Sequence, residues 1–87
     1  MNTLTATPKL SRLFRMQWEP AQDAYVLLYP EGMVKLNLSA AEILKRCDGQ
    51  NEVPAIVEEL ETSFSVSGLD NEVRAFLADA HQRGWLV

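Results

Sequence analysis

The chain has 87 residues, of which 47% are hydrophobic, and its net charge is −4. This length supports one compact domain with a core of its own. The acidic balance argues against nucleic-acid binding, because proteins that bind DNA or RNA usually carry a basic face. One cysteine, Cys47, excludes an internal disulfide and supplies no metal-binding set. We therefore expect a single domain that holds no metal and no cofactor.

Two features of the sequence bear on location. Residues 1–12 lack the apolar segment of a secretory signal, and no run approaches the roughly 18 apolar residues that cross a membrane. A single cysteine suits a reducing compartment. The sequence therefore predicts a soluble, cytoplasmic protein that contacts no membrane.

The first half of the chain predicts an antiparallel sheet. Residues 1–10 are small and polar, and we expect a flexible N-terminal arm ahead of one domain over residues 11–87. Residues 13–18 alternate apolar and polar side chains as a half-buried strand does, whereas residues 24–29 are apolar on both faces and should be covered on both sides. The turn over residues 29–32, with Pro30 second and Gly32 last in an αL bulge, leads into a third strand over residues 33–38.

The first of three predicted helices follows this strand directly. Ser39 and Glu42 have the spacing of a capping box, which predicts a helix that begins at Ser39. Cys47 falls on the apolar stripe of this helix, and Gly49 is expected to end it in a left-handed conformation.

Two further helices are predicted after Gly49. The second begins near Glu52, because Pro54 is tolerated only in a first turn. In the loop that follows, Phe64 and Val66 are expected to turn inward. The third helix covers residues 71–83, with Asp70 as its N-cap and Gly84 after its end, and residues 85–87 are expected to dock on the core. Three strands followed by three helices predict an α+β domain of winged helix-turn-helix type.

The sequence gives little support for catalysis. Cys47 and the single histidine, His81, formally provide a nucleophile and a base, but the apolar stripe around Cys47 predicts a buried structural thiol. His81 is either a solvated helix residue or part of a binding face. The four glycines are isolated, so none forms a phosphate-binding loop. We expect no enzymatic activity.

A binding role remains, and the charges favour a protein partner over DNA. The third helix would be the recognition helix of a winged-helix DNA binder, yet acidic side chains outnumber its arginines. Acidic residues also fill the stretch between Arg46 and Arg74, which contains no Lys or Arg; this is either a solvated face or a surface for a basic partner. The strand over residues 33–38 ends the sheet, so its free backbone groups can accept another strand beside the third helix.

The order and spacing of several motifs over residues 8–87 resemble the PqqD family of pyrroloquinoline quinone (PQQ) biosynthesis. The motifs are Pro8 with the basic residues after it, Tyr29-Pro30-Glu31-Gly32, Leu36-Asn37-Leu38-Ser39, Ile43-Leu44-Lys45-Arg46-Cys47-Asp48-Gly49, Ile56-Val57-Glu58-Glu59-Leu60, and Val73-Arg74-Ala75-Phe76-Leu77 running to Gly84-Trp85-Leu86. The stretch from Leu36 to Gly49 is the most specific of them.

The resemblance implies a peptide chaperone, also called a recognition element for ribosomally made, post-translationally modified peptides. Such a protein binds the PQQ precursor peptide and presents it to a radical S-adenosylmethionine enzyme, which cross-links a Glu and a Tyr of the peptide. In related domains the peptide adds to the third strand and packs against the third helix. Carried over to this sequence, the peptide-binding residues are Met33, Val34, Lys35, Leu36 and Asn37 on the strand and Arg74, Leu77, Ala78 and His81 on the helix.

Two alternatives stay open. One is a general winged-helix adaptor that forms a homodimer and binds no peptide substrate. The other is a DNA-binding regulator. Peptide titration separates the first from a peptide chaperone, and salt-dependent DNA binding identifies the second.

Overall fold

A computed structural model describes residues 6–87. The strands β1 (Arg15–Glu19), β2 (Ala24–Tyr29) and β3 (Gly32–Lys35) form an antiparallel sheet in the order β1-β2-β3, and the helices α1 (Leu38–Lys45), α2 (Val53–Phe64) and α3 (Asp70–Gln82) follow. This arrangement confirms the predicted three-stranded antiparallel sheet followed by three helices. Over residues 6–87, no helix has both the length and the apolar character that crossing a membrane requires.

The central strand β2 is buried on both faces, as its apolar pattern predicts. Val26 and Leu27 point to opposite sides of the sheet, and neither side chain is exposed. The β2–β3 turn closes with Tyr29 paired directly to Gly32, whose φ is +158°. Gly32 is therefore the first residue of β3 and not the predicted αL bulge residue.

The strand β3 is shorter than predicted, because Asn37 begins the next helix. The backbone N–H of Leu36 still donates to the Tyr25 carbonyl at 2.9 Å, but the Asn37 side chain accepts a hydrogen bond from the Ala40 N–H at 2.8 Å. Asn37 is thus the N-cap of α1, and the predicted capping box of Ser39 and Glu42 is wrong. Asn and Ser are comparably good N-caps, so the sequence contains two adequate starts and the structure uses the earlier one.

The helix α1 also ends earlier than predicted. The N–H groups of Arg46 and Cys47 donate to carbonyls three residues back, which tightens the last turn, so Cys47 lies just beyond the helix. Gly49 does not terminate α1. Its left-handed conformation (φ +83°) instead allows its N–H to reach the Pro8 carbonyl at 3.0 Å, and an added Cβ would lie 3.1 Å from Cδ of Lys9.

The helix α2 begins after Glu52 with Pro54 in its first turn, as predicted, but its end differs. Ser65 caps it with φ +54° and ψ +44°, and the Val66 N–H donates back to the Glu61 carbonyl at 3.0 Å. Phe64 and Val66 are 46% and 47% exposed, so the prediction that they turn inward is wrong. Phe64 continues the buried face of α2 one turn beyond Leu60, where the core has already ended.

The helix α3 begins one residue before its predicted start. Leu69 occupies the N-cap position without a side-chain cap, and Asp70 lies in the first turn, where it accepts a hydrogen bond from Arg74 at 3.0 Å. The helix ends at Gln82, one residue before the predicted end, and the predicted stop at Gly84 is confirmed. Gly84 has φ +83°, and the N–H groups of Gly84 and Trp85 bond to the carbonyls of His81 and Ala80 in a Schellman motif.

The two ends of the described chain pair with each other. Leu10 forms a bridge with Leu86, and the Lys9 and Val87 backbones exchange hydrogen bonds of 3.3 and 2.8 Å. Pro8 is fully buried and Leu86 is 3% exposed. Residues 8–10, which the sequence assigned to a loose arm, therefore pack beside the docked C-terminal residues, and residues 1–5 lie outside the described part of the chain.

The three helices and the inner face of β2 enclose one core. Its buried members are Leu27, Leu36, Ala40, Ala41, Ile43, Leu44, Cys47, Val53, Ile56, Val57, Leu60, Val73, Leu77, Ala80 and Leu86.

Candidate functional site

Within residues 6–87, the backbone of β3 has an unpaired edge. The Leu36 N–H donates to Tyr25, so Leu36, Val34 and Gly32 direct their backbone groups toward β2 in the alternating antiparallel pattern. The residues between them, Met33 and Lys35, direct their N–H and C=O groups away from the sheet. Because β3 is the last strand in the order, these groups are available to another strand.

A cleft of about 300 Å³ lies between β3 and α3, next to this free edge. The residues that line it are Val34, Lys35, Leu36, Asn37, Ala40, Phe76, Asp79, Arg83 and Trp85. Phe76 and Trp85 are partly buried against the core, and Leu36 is 4% exposed, so the cleft has a fixed apolar floor.

One wall of the cleft is polar. Arg83 donates to the Asp79 carboxylate at 2.8 Å, and its guanidinium lies 5.7 Å from the centre of the Trp85 ring. Both charged side chains are more than half exposed, so this pair contributes little stability and remains available to a bound chain. An apolar floor, a polar wall and a free strand edge together suit an extended peptide.

The structure brings the predicted strand residues to this site. Val34, Lys35, Leu36 and Asn37 line the cleft, and Met33 lies on the free edge with its side chain 48% exposed. Leu36 and Asn37 lie beyond the end of β3, so the strand residues available to a partner's backbone are Met33 and Lys35.

The predicted helix residues lie elsewhere on α3. Leu77 is fully buried and belongs to the core. At 3.6 residues per turn, Arg74, Ala78 and His81 fall on one side of the buried ridge that contains Leu77, and the cleft residues fall on the other. Arg74 is paired with Asp70 at 3.0 Å. None of the four predicted helix residues lines the cleft.

The helix residues that do line the cleft are Phe76, Asp79 and Arg83, and the sequence reasoning missed them in this role. The four-residue spacing of Asp79 and Arg83 is a signal of an ion pair on one side of the helix. Trp85 offered a second signal, since an aromatic residue directly after a helix-ending glycine packs back toward that helix. The sequence does not show which side of α3 faces β3, and this is why these residues were missed.

Cys47 has the properties of a structural thiol. Its side chain is 4% exposed, and Sγ donates to the Ile43 carbonyl at 3.3 Å. Burial, with a smaller effect from the negative charge of Asp48, raises the pKa of Cys47 to about 12. The thiol is therefore protonated at neutral pH, which is the unreactive form.

The acidic stretch between Arg46 and Arg74 is partly committed to structural contacts. Glu59 accepts a hydrogen bond from Arg46 at 2.6 Å, and Glu61 accepts one from the Leu69 N–H at 2.9 Å. Arg46 also bonds to Glu42, and this contact contributes most to lowering the pKa of the Glu42 carboxyl. Only part of this acidic surface is therefore available to a partner.

Comparison with known proteins places these features in a family. The model of coenzyme PQQ synthesis protein D (PqqD) matches residues 24–86. A PqqA binding protein of Pseudomonas aeruginosa (strain UCBPP-PA14) is 55% identical over 97% of this chain and 92% of its own length. A PqqA binding protein of Methylococcus capsulatus (strain Bath) is 51% identical over 90% of this chain and 84% of its own length.

The fold is likewise similar to a solved structure. The PqqD part of the PqqCD protein of Methylobacterium extorquens, solved by solution NMR and described as a functional, stand-alone recognition element for ribosomally synthesised and modified peptides, matches with a TM-score of 0.73. The match has 26% sequence identity and covers 98% of this chain and 95% of the other. The family match over most of the chain and the relatives above 50% identity agree, and this chain belongs to the PqqD family.

Proposed function

We propose that this chain binds the PQQ precursor peptide PqqA as an added strand on β3. The observation that carries the proposal is the free edge of β3, where the outward backbone groups of Met33 and Lys35 border the apolar cleft against α3. Backbone hydrogen bonds supply affinity in this mode, and the side chains that enter the cleft supply specificity. The names of the relatives, PqqA binding protein, support PqqA as the bound peptide.

The peptide's side chains would alternate about the new strand. Those on the helix side meet the floor formed by Leu36, Phe76 and Trp85, and a polar or charged one meets the Asp79–Arg83 pair. In this assignment α3 contributes its cleft side to binding, and the side with Arg74, Ala78 and His81 is left to solvent or another partner.

The chain acts as a carrier of the peptide and not as the catalyst. Its thiol is buried and protonated, and the residues around the cleft offer binding surfaces. The cross-linking chemistry belongs to a radical S-adenosylmethionine enzyme, to which this cytoplasmic protein presents the bound peptide. A complex of chaperone, peptide and enzyme is thus the functional unit.

The charges on α3 support a peptide partner over DNA. Arg74 is paired with Asp70, and Arg83 is paired with Asp79. Because Glu72 adds a further negative charge to these two ion pairs, α3 carries a net negative charge that repels phosphate. The free edge of β3 could instead pair with the same edge of a second copy to form a homodimer. In that case the peptide would compete with the second copy for β3.

Lys35→Pro tests strand addition directly. Proline removes the outward N–H of Lys35, and an edge position tolerates proline because no hydrogen bond within the sheet depends on that N–H. We expect PqqA affinity, measured by calorimetric titration, to fall by about tenfold or more, because a backbone hydrogen bond is lost and the edge geometry is disturbed.

Lys35→Ala is the matched control, since it removes the same side chain and keeps the N–H. It should bind PqqA nearly as well as the original chain. Unchanged affinity in a folded Lys35→Pro variant would contradict strand addition, and an equal loss in both variants would assign the effect to the Lys35 side chain.

A further inference from the structure

A second hollow lies where the start of α1, the end of α2 and the start of α3 meet. Its volume is about 210 Å³. The buried side chains of Ile43, Leu60 and Val73 line its inner part. Leu38 and Val66 border it with 70% and 47% exposure. We call this hollow the helical groove.

The helical groove concentrates apolar surface that is costly to leave in water. Seven large apolar side chains are exposed among residues 6–87, and three of them, Leu38, Phe64 and Val66, border this one hollow. Single exposed apolar residues are ordinary, but a group of them around an apolar hollow marks an interaction surface. The hollow has room for one large apolar side chain from a partner.

The charges at the helical groove indicate what surrounds that side chain. Among residues 6–87, its only charged lining residues are Glu42 and Glu72. Glu42 is held by Arg46 and Lys45, whereas Glu72 takes part in none of the ion pairs formed within residues 6–87. The sequence from residue 47 to residue 73 contains no Lys or Arg. A cation that pairs with Glu72 would therefore come from a partner.

The helical groove is separate from the peptide cleft. The two hollows share no lining residue. The groove uses the first turn of α3, at Glu72 and Val73, and the cleft uses the part of α3 from Phe76 onward.

We propose that the helical groove docks a second protein through a large apolar side chain flanked by Lys or Arg. This inference rests on the proposed function for the choice of protein: once the peptide occupies β3, the peptide-modifying enzyme is the partner that needs a surface of its own. The groove places that enzyme on the helical side of the domain, while the peptide extends along the sheet edge.

A pair of substitutions at the rim tests the proposal. Leu38→Ser combined with Val66→Ser removes exposed apolar surface and leaves the core intact. We expect the affinity for the purified modifying enzyme of the same organism to fall about tenfold or more, and the affinity for PqqA to stay within twofold. Leu13→Ser is the matched control, because Leu13 is 68% exposed and lines neither hollow; it should change neither affinity.

A charge reversal tests the flanking cation. Glu72→Lys should weaken enzyme binding, and the loss should be larger at low salt. Glu58→Lys makes the same change on the exposed face of α2, outside the groove, and should have a smaller effect. Equal effects of the two variants would assign the attraction to the whole acidic surface and overturn the role of Glu72.

The outcomes separate this inference from the proposed function. Unchanged enzyme binding in the Leu38 and Val66 double variant, or a wild-type chain that does not bind the enzyme, overturns the inference. So does a loss confined to PqqA binding or to self-association measured by sedimentation. If the original chain does not bind PqqA but binds the enzyme, and the double variant binds the enzyme more weakly, the groove assignment stands and the proposed function fails.

Discussion

At the scale of single residues, Ser65 occupies a conformation that glycine adopts at lower cost. It ends α2 with φ +54°, in the left-handed region where a Cβ crowds the backbone. The side chain is exposed. The position therefore carries strain that a substitution can remove.

We predict that Ser65→Gly stabilises the protein by about 0.5–1 kcal/mol, since the relief of strain exceeds the added freedom of the unfolded chain. Urea unfolding measures the change. Ser67→Gly is the control, because Ser67 is exposed and has a negative φ; it should be neutral or destabilising. Stabilisation by both substitutions would show that left-handed strain at Ser65 is not the cause.

We predict that Cys47 makes the stability of the domain fall as the pH rises through the alkaline range. Burial raises the pKa of its thiol from 9.0 to about 12, so the folded state holds the proton more tightly than the unfolded state does. The resulting stability is fully present below about pH 9 and is lost as the pH rises toward 12. The loss should approach about 1.4 kcal/mol per pH unit inside that window.

The prediction is checked against Cys47→Ala, which removes the titrating thiol and leaves the other groups unchanged. We compare the unfolding free energy of the original chain with that of the variant at two pH values. The advantage of the original chain should be smaller at about pH 10.5 than at about pH 8. A difference that stays constant across this range would show that the thiol titrates alike in the folded and unfolded states.

The starts and ends of the helices show how accurately single cap residues can be predicted from sequence. The stop at Gly84 was predicted, because few residues adopt a left-handed conformation cheaply. The left-handed Gly49 does not end α1, and the left-handed Ser65 that ends α2 was not predicted. The starts at Ser39 and Asp70 were wrong by one or two residues. Several residue types cap a helix comparably well, and at α3 the structure uses Leu69, which has no side-chain cap at all.

At the scale of elements, the rotation of α3 decides which of its residues meet a bound peptide. The helical spacing of Val73, Leu77 and Ala80 gives α3 one buried ridge. The ridge has two flanks, and periodicity alone does not say which flank faces β3. The helix α3 packs against α2. In that orientation Phe76 and Asp79 line the cleft beside β3, and Ala78 lies outside it.

Two substitutions on α3 test this assignment. Phe76→Ala should weaken PqqA binding by about tenfold, because it removes part of the apolar floor of the cleft. It should also cost about 1–3 kcal/mol of stability, since Phe76 packs against the core, so binding is measured where circular dichroism shows the variant folded.

Ala78→Lys is the comparison on the other flank. Ala78 is exposed and lines no part of the cleft, so a bulky charged side chain there should change PqqA affinity by less than about twofold. Strong loss in Ala78→Lys with little loss in Phe76→Ala would instead support the helix residues chosen from sequence.

At the scale of the whole molecule, the order of strands and helices was predictable and the closure of the chain was not. Period-two and helical patterns follow one another along the sequence, and short connections leave few topologies to choose from. The contact between Leu10 and Leu86 joins residues far apart in sequence and follows no local pattern. The same holds for the helical groove, which forms only where three helices meet.

If β3 binds the peptide and the helical groove binds the enzyme, as proposed above, this small domain offers a different surface to each partner. The free edge of β3 with its cleft and the helical groove share no lining residue, and the core lies between the sheet and the helices. The two partners would therefore contact different residues. In that arrangement, a peptide held along the sheet edge would be presented to an enzyme docked on the helices.

Amide hydrogen exchange on the complex with PqqA tests the central claim most directly. In the free protein the N–H groups of Met33 and Lys35 face solvent, whereas that of Leu36 is already bonded to Tyr25. If PqqA adds to β3, exchange at Met33 and Lys35 should slow by about tenfold or more, because each N–H gains a backbone partner. Unchanged exchange at both residues in a saturated complex, with protection appearing only over residues 50–62, would contradict strand addition.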